Sequence, residues 1–359
     1  MSQEAKLHGW EMRTPGQPLE AVTRPLPVPQ ANEALVRVAG CGVCHTDIGF
    51  LYGGVRTRMA PPLILGHEIA GVVEAAGPGL ERLVGKNVVV PAVIPCGACD
   101  VCRRGRGSIC AKQVFPGNDV HGGFASHVLV PARGLAEVDL AGASFGDSGV
   151  GLAELAVVAD AVSTAYQAVR RSQLAPGDLA IFVGAGGVGG FGVQIANALG
   201  AKVVAVDVDK AKLDLIAQHG AALTLDAREK DQDGIKAAVK EFAKAQGLRS
   251  TEWRVFETSG TKPGQELAFK LLVSGSYLGV VGYTRDPVSL RLSNLMALDA
   301  RAEGNWGCVP ELYPEVLDLV RRGLVKLAPF VEKHPLSDVN DVLTAMHEGT
   351  LKRRVVLVP

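Results

Sequence analysis

The densest chemistry in the chain lies in CGACDVCRRGRGSIC, where Cys96, Cys99, Cys102 and Cys110 are separated by two, two and seven residues. Thiolates are soft anionic ligands, and four on one short loop can close a tetrahedral shell around zinc with no position left for a reactant. Disulfide pairing is the competing use. The opening MSQEAKLHGWEMRTPGQPL lacks the basic-then-apolar layout of an export signal, so a reducing, cytoplasmic setting is expected. The spacing therefore predicts a structural zinc in a lobe over about 95–111, a loop too polar to fold by itself.

A second set of ligand types is dispersed. Cys44 stands in GCGVCHTD, His67 in LGHE, and Asp160 in the apolar run ELAVVADAVSTAY. A lone cysteine is usually a small hydrophobe, and a lone histidine a satisfied core residue. Asp160 is harder to dismiss, because a buried carboxylate needs a partner, a proton or a metal. Cys44, His67 and Asp160 together would supply thiolate, imidazole and carboxylate, with a fourth position for water or substrate. That is the layout of a catalytic zinc. The metal would then be the charge partner of Asp160. Asp47 and Glu68 adjoin the proposed ligands and compete for the role. Asp47 is better suited to orienting His67 through its other ring nitrogen, and Glu68 to entering the shell when water or substrate leaves. Cys41 and Cys308 have no spacing that recommends them and read as packing.

The third pattern is VGAGGVGGFG, which follows the strand-like LAIFVG and opens a helical stretch. Gly184, Gly186 and Gly189, with Gly187 and Val188 between them, form the fingerprint of a turn that lets backbone approach a pyrophosphate at a helix N-terminus. Asp207 ends the next strand, KVVAVD, 18 residues beyond Gly189. An acid there accepts hydrogen bonds from both adenosine ribose hydroxyls and repels a 2′-phosphate, which favours NAD over NADP. Asp209 reads as a solvated loop residue.

The elements that must position these groups emerge from length and periodicity. With 359 residues, two domains are the prior. Lys plus Arg equals Asp plus Glu at 37 each, and no apolar run reaches transmembrane length, so neither nucleic acid nor a membrane is the expected partner. From Trp10 to about Val130, short strand-like runs such as EALVRVAG, IAGVVEAAG, KNVVV and ASHVLV alternate with Gly/Pro turns, as in a β-barrel. GLAELAVVADAVSTAYQAVRRS then reads as one long helix. From Asp178 strands and helices alternate, which implies a doubly wound parallel sheet. The basic and apolar tail LKRRVVLVP is expected to pack back on the first domain. The domains are placed at 1–161 with 306–359, and at 162–305.

In combination, these motifs resemble the zinc-dependent medium-chain alcohol dehydrogenases over essentially the whole chain. The resemblance implies a GroES-like catalytic domain interrupted by a Rossmann domain, NAD, two zinc ions per subunit, and a homo-oligomer, dimer or tetramer. It carries the third ligand to Asp160, six residues before Tyr166, where many members have cysteine. It places His45 and Arg354 on the cofactor pyrophosphate, Lys212 near the adenosine ribose, and Thr46 where a hydroxyl hands the alcohol proton away. Gly49 stands where members with a histidine relay carry that histidine, so the relay ends at the nicotinamide ribose and water, or at another base. LAELAVVADAVSTAYQAVRRS, VGGFGVQIANALG and LRLSNLMALDARAEGNWGCVPELYP resemble the branch that oxidises a ring alcohol carried as a CoA thioester in anaerobic benzoyl-CoA degradation. Arg56, Arg58, Arg285 and Arg291 are then candidates for CoA contacts. The alternatives are a zinc dehydrogenase of simple or aromatic alcohols and a non-catalytic nucleotide-binding relative.

Overall fold

The computed structural model describes residues 5–140 and 149–359. The chain divides into two compact units. The first comprises the chain up to Ser163 with Gly307–Gly323 and Leu327–Pro359; the second comprises Thr164–Trp306 with Leu324–Lys326.

The first unit is built on strands. Glu33–Gly42 is the hub of a seven-stranded sheet and pairs antiparallel with Glu68–Ala76, with His127–Pro131 and with the terminal strand Arg354–Val358. The tail thus returns to the first domain, with Val356 opposite Gly42 and Leu357 opposite Cys41. A smaller sheet joins Lys6–Met12 to Glu20–Pro25 and Leu63–Ile64. Apolar residues fill the space between the strands, among them Val36, Val38, Ile69, Val88, Phe124 and Val355, all buried. The register of Glu33–Gly42 against Glu68–Ala76 slips twice, at Leu35/Val36 and at Val38/Gly40. Such irregularities bend a strand and re-aim the residues at its end. Here those residues are Val43 and Cys44.

The long helix expected over 151–172 is two elements. Glu154–Ala159 is a 3-10 turn, the α-helix runs Ala161–Arg171, and Asp160 lies at the break with φ −139° and ψ −64°. The apolar run carries no warning of the break because all six residues of the turn are buried, so hydrophobic periodicity has no phase. The break is held from elsewhere in the chain: the Ala159 carbonyl accepts hydrogen bonds from Ala92 N, at 3.2 Å, and from the Tyr313 hydroxyl.

The second unit is a six-stranded, wholly parallel sheet. Its order is Leu223–Asp226, Lys202–Asp207, Leu179–Val183, Arg254–Glu257, Tyr277–Val280, Arg301–Gly304. Numbered along the chain this is 3-2-1-4-5-6, the doubly wound order whose direction reverses beside the first strand. Ile181, Val204 and Val255 on adjacent strands pack in one buried cluster with Trp253. No helix among the described residues is long and apolar enough to cross a membrane.

Candidate functional site

Four potential ligands from three stretches of the first unit converge. The Sγ of Cys44, a ring nitrogen of His67 and carboxylate oxygens of Glu68 and Asp160 all lie within 4.8 Å of one another. Cys44 precedes the helix His45–Leu51, and Asp47 in its first turn accepts a hydrogen bond from Cys44 N at 3.0 Å. The other Asp47 oxygen accepts from Gly66 N at 3.2 Å and lies 3.4 Å from His67 Nδ1. One buried carboxylate therefore ties the Cys44 loop to the Gly66–His67 loop. On the far side of the ring, Asp160 Oδ2 is 3.4 Å from His67 Nε2 and 3.9 Å from Cys44 Sγ. The Thr46 hydroxyl is 3.7 Å from the same sulfur. His45 is exposed at the start of the helix.

The electrostatics favour a cation here. Neither ring nitrogen of buried His67 makes a hydrogen bond among the described residues. Burial acts to lower the His67 pKa, yet Asp47, Asp160 and Cys44 together raise it well above the ordinary imidazole value. An imidazole with an orphaned Nε2, a thiol and a carboxylate in one buried group is the donor set of zinc. The residues present fit that ion.

Glu68 is committed elsewhere as well. Its carboxylate pairs with Arg354 through Nε, at 2.8 Å, and through Nη2. Burial pushes the Glu68 carboxyl up to about 7, with Arg354 pulling the other way. Burial would lower the Arg354 pKa, but Glu68 holds it above its ordinary value. Gly42 makes the pair feasible, since a Cβ there would come 2.2 Å from Glu68 Oε2. No local pattern signals this pair, because its members are 286 residues apart. Arg354→Leu should cost about 3–5 kcal/mol of stability, because it strands a buried carboxylate. Urea unfolding of that variant, and partial recovery with Glu68→Gln added, would check this.

The cysteine lobe is compact. Cys99 Sγ lies 3.4 Å from Cys102 Sγ and 3.7 Å from Cys110 Sγ, and Cys96 Sγ lies 4.0 Å from Cys102 Sγ. A tetrahedron with metal–sulfur bonds of ~2.3 Å has edges of about 3.8 Å, so these separations suit one ion. None of the seven cysteines is in a disulfide. The backbone N–H groups of Ala98 and Cys99 pull the Cys96 thiol down to about 6, whereas burial and the neighbouring thiols push that of Cys102 up to about 12. Cys41 and Cys308 are buried.

In the second unit, the turn after Leu179–Val183 leads into the helix Gly187–Ala198, with Gly186 immediately before it. A Cβ on Gly189 would come 1.8 Å from Gly184 O, so only glycine allows helix and strand to meet this closely. Asp207 ends its strand and is half-buried. It accepts hydrogen bonds from Ala185 N at 2.6 Å, Val208 N at 2.8 Å and Asp209 N at 2.9 Å, which fixes the acid to the glycine turn. Asp209 is not a solvated loop residue. It caps the helix Lys210–Ala217, which carries Lys212, by accepting from Ala211 N.

Residues 30–139 match the alcohol dehydrogenase GroES-like domain family, and residues 187–322 match the zinc-binding dehydrogenase family. An alcohol dehydrogenase of Geobacillus stearothermophilus is 32% identical over 343 residues, 95% of this chain and 96% of that one. The chain belongs to the zinc-binding medium-chain alcohol dehydrogenase family. It is an oxidoreductase. Within the family, a D-arabinose 1-dehydrogenase (NADP(+)) of Saccharolobus solfataricus is 29% identical, over 96% of this chain and 95% of that one. The cobalt- and zinc-bound thermostable alcohol dehydrogenase of Pyrobaculum aerophilum superposes with a TM-score of 0.84 at 28% identity, covering 99% of this chain and 100% of that one. The GroES-like and Rossmann-type domains expected from the sequence are those of this family.

Proposed function

We propose that this dehydrogenase uses NAD to oxidise 6-hydroxycyclohex-1-ene-1-carbonyl-CoA to the 6-oxo thioester, at the site formed by Cys44, His67 and Asp160. The observation that carries the reaction type is the convergence of one thiolate, one imidazole and one carboxylate on a common point, with Asp160 the most exposed of the three at 16%. Zinc bound there would supply Lewis acidity that lowers the pKa of a substrate hydroxyl. NAD would supply the hydride acceptor, leaving the protein to fix its orientation.

The chain's own residues do the rest. Cys44 and Asp160 would bring the two negative charges that balance a divalent ion, and Asp47 holds Cys44 and His67 in register. Thr46 Oγ1, in the first turn of His45–Leu51, accepts the proton leaving the alcohol and passes its own outward to water. Gly49 supplies no side chain to extend that relay. His45 and Lys212 are proposed cofactor contacts, as is Arg354, whose Nε and Nη2 are already held by Glu68. In the second unit, Gly184 to Gly189 would cradle the pyrophosphate, and Asp207 would accept the adenosine ribose hydroxyls.

The substrate assignment rests on the branch resemblance of the segments around Asp160, Phe191 and Trp306. Arg56 and Arg291, both exposed, are offered for the CoA phosphates. Arg58 is paired with Asp119 at 3.2 Å, and Arg285 remains a candidate. A homo-oligomer in the cytoplasm is proposed as well. The exposed edge strand Arg301–Gly304 and the nearby exposed Leu292 and Met296 support self-association. The test is a spectrophotometric assay with NAD or NADP, comparing 6-hydroxycyclohex-1-ene-1-carbonyl-CoA with benzyl alcohol. Reduction of NAD with the thioester alone is expected. Turnover of benzyl alcohol with none of the thioester would favour a simple-alcohol dehydrogenase, and preference for NADP would overturn the role given to Asp207.

A further inference from the structure

We infer that Tyr313 is a positioning residue for Asp160, fixing the direction in which that carboxylate meets Cys44 and His67; the inference rests on the metal site proposed above. An aspartate has a short side chain with two torsions, so the reach of its carboxylate is set by its backbone. At Asp160 that backbone is neither helical nor extended, with φ −139° and ψ −64°. What surrounds the Asp160 peptide therefore decides where its carboxylate stands.

Tyr313 is the surrounding group that does so. Its hydroxyl donates to the carbonyl of Ala159, the residue just before Asp160. Ser163 Oγ lies 3.3 Å from the Tyr313 hydroxyl and 3.3 Å from the Asp160 carbonyl, so its one proton serves either acceptor. The Asp160 peptide is thus flanked on both sides by a single polar cluster, with Ala92 N as its other donor. Tyr313, Ser163 and Ala159 are each 0% exposed, so bulk water does not reach the hydroxyl or its partners. Burial also raises the Tyr313 phenol well above its ordinary value, which keeps it a donor. Tyr313 opens the helix Tyr313–Arg321, so a segment far along the chain sets the angle of a ligand beside the 3-10 turn. None of these contacts touches the reacting atoms. Partners that orient a metal ligand from behind typically change metal affinity by about 10–100-fold when removed.

Tyr313→Phe keeps the ring and removes only the hydroxyl. The measurement is release of metal from the cobalt-substituted protein into a chelator, tracked by the visible ligand-field bands and by metal content per subunit. The expected result is release from the Asp160 site faster by about tenfold or more, with its bands shifted and the four-cysteine metal unaffected. A merely structural tyrosine would lower the unfolding midpoint and leave both the bands and the release rate where they were, which would overturn the inference. If Tyr313→Phe does not fold, Ser163→Ala is read by the same two signals: faster release with shifted bands supports the inference, and unchanged signals overturn it. The underlying metal site is tested separately. A wild-type protein with only the four-cysteine metal would sink that site, whereas two metals in wild type, one in Asp160→Ala and unchanged signals in Tyr313→Phe would sink only the role of Tyr313.

Discussion

Asp160→Ala is expected to leave one zinc per subunit instead of two and to lower kcat/KM by about a thousandfold or more, which corresponds to roughly 4 kcal/mol of transition-state stabilisation. The size of the effect comes from geometry. Asp160 Oδ2 is the atom that faces both Cys44 Sγ and His67 Nε2, so its removal takes a third of the donor set and one of the two charges that would neutralise the ion. Alanine offers no replacement ligand, and Glu68 is held by its pair with Arg354. Asp160→Cys should keep the second zinc, since it restores an anionic donor at the same position. Metal analysis and initial rates on purified variants check the prediction. Retained zinc in the cysteine lobe would show that the loss is confined to the Asp160 site. Full zinc and full rate in Asp160→Ala would remove that residue from the site.

The second large effect is expected at Cys110, the most deeply buried of the four lobe cysteines. Cys110→Ser should empty the lobe of zinc and lower the thermal midpoint by about 10 °C or more. Structural zinc contributes ~10–16 kcal/mol of apparent binding energy in small isolated domains. Even a third of that, at about 2–4 °C per kcal/mol for a domain of this size class, gives a shift of this order. The lobe has little else to hold it: the helix Asp100–Arg103 is one turn long and buries none of its residues. Zinc in the Asp160 site should survive in the soluble fraction. A two-domain chain that unfolds irreversibly is better monitored by inactivation half-life than by a midpoint alone. An unchanged half-life after loss of the lobe zinc would show that the lobe does not carry stability.

Both clusters of potential metal ligands can be picked out in the sequence, but for different reasons. The lobe ligands are local, so spacing alone names them. Cys44, His67 and Asp160 are dispersed, and it is the cost of a lone buried carboxylate that singles out Asp160. The same apolar run that reveals the carboxylate hides its conformation. A stretch buried on every face has no phase, and two of the hydrogen bonds at the 3-10 break come from Tyr313 and Ala92, which lie outside the run. The parallel sheet is legible because strands such as Leu179–Val183 and Lys202–Asp207 are short Val/Ile-rich runs succeeded by helices, whereas Leu223–Asp226 and Arg301–Gly304 contain no Val or Ile and give no such signal. The Glu68–Arg354 pair is not, since neither residue carries a local signal and the partners meet only once the terminal strand docks on Glu33–Gly42. Asp209 passes for a solvated acid in the sequence because a helix cap and a loop acid look alike until the helix start is known.

The most direct measurement is anomalous X-ray diffraction at the zinc edge from crystals of the wild-type protein. Two peaks per subunit are predicted, one within the four lobe sulfurs and one bonded to Cys44 Sγ, His67 Nε2 and an Asp160 oxygen. A single peak in the lobe, or a second ion held by other ligands with Asp160 turned away, would contradict the account.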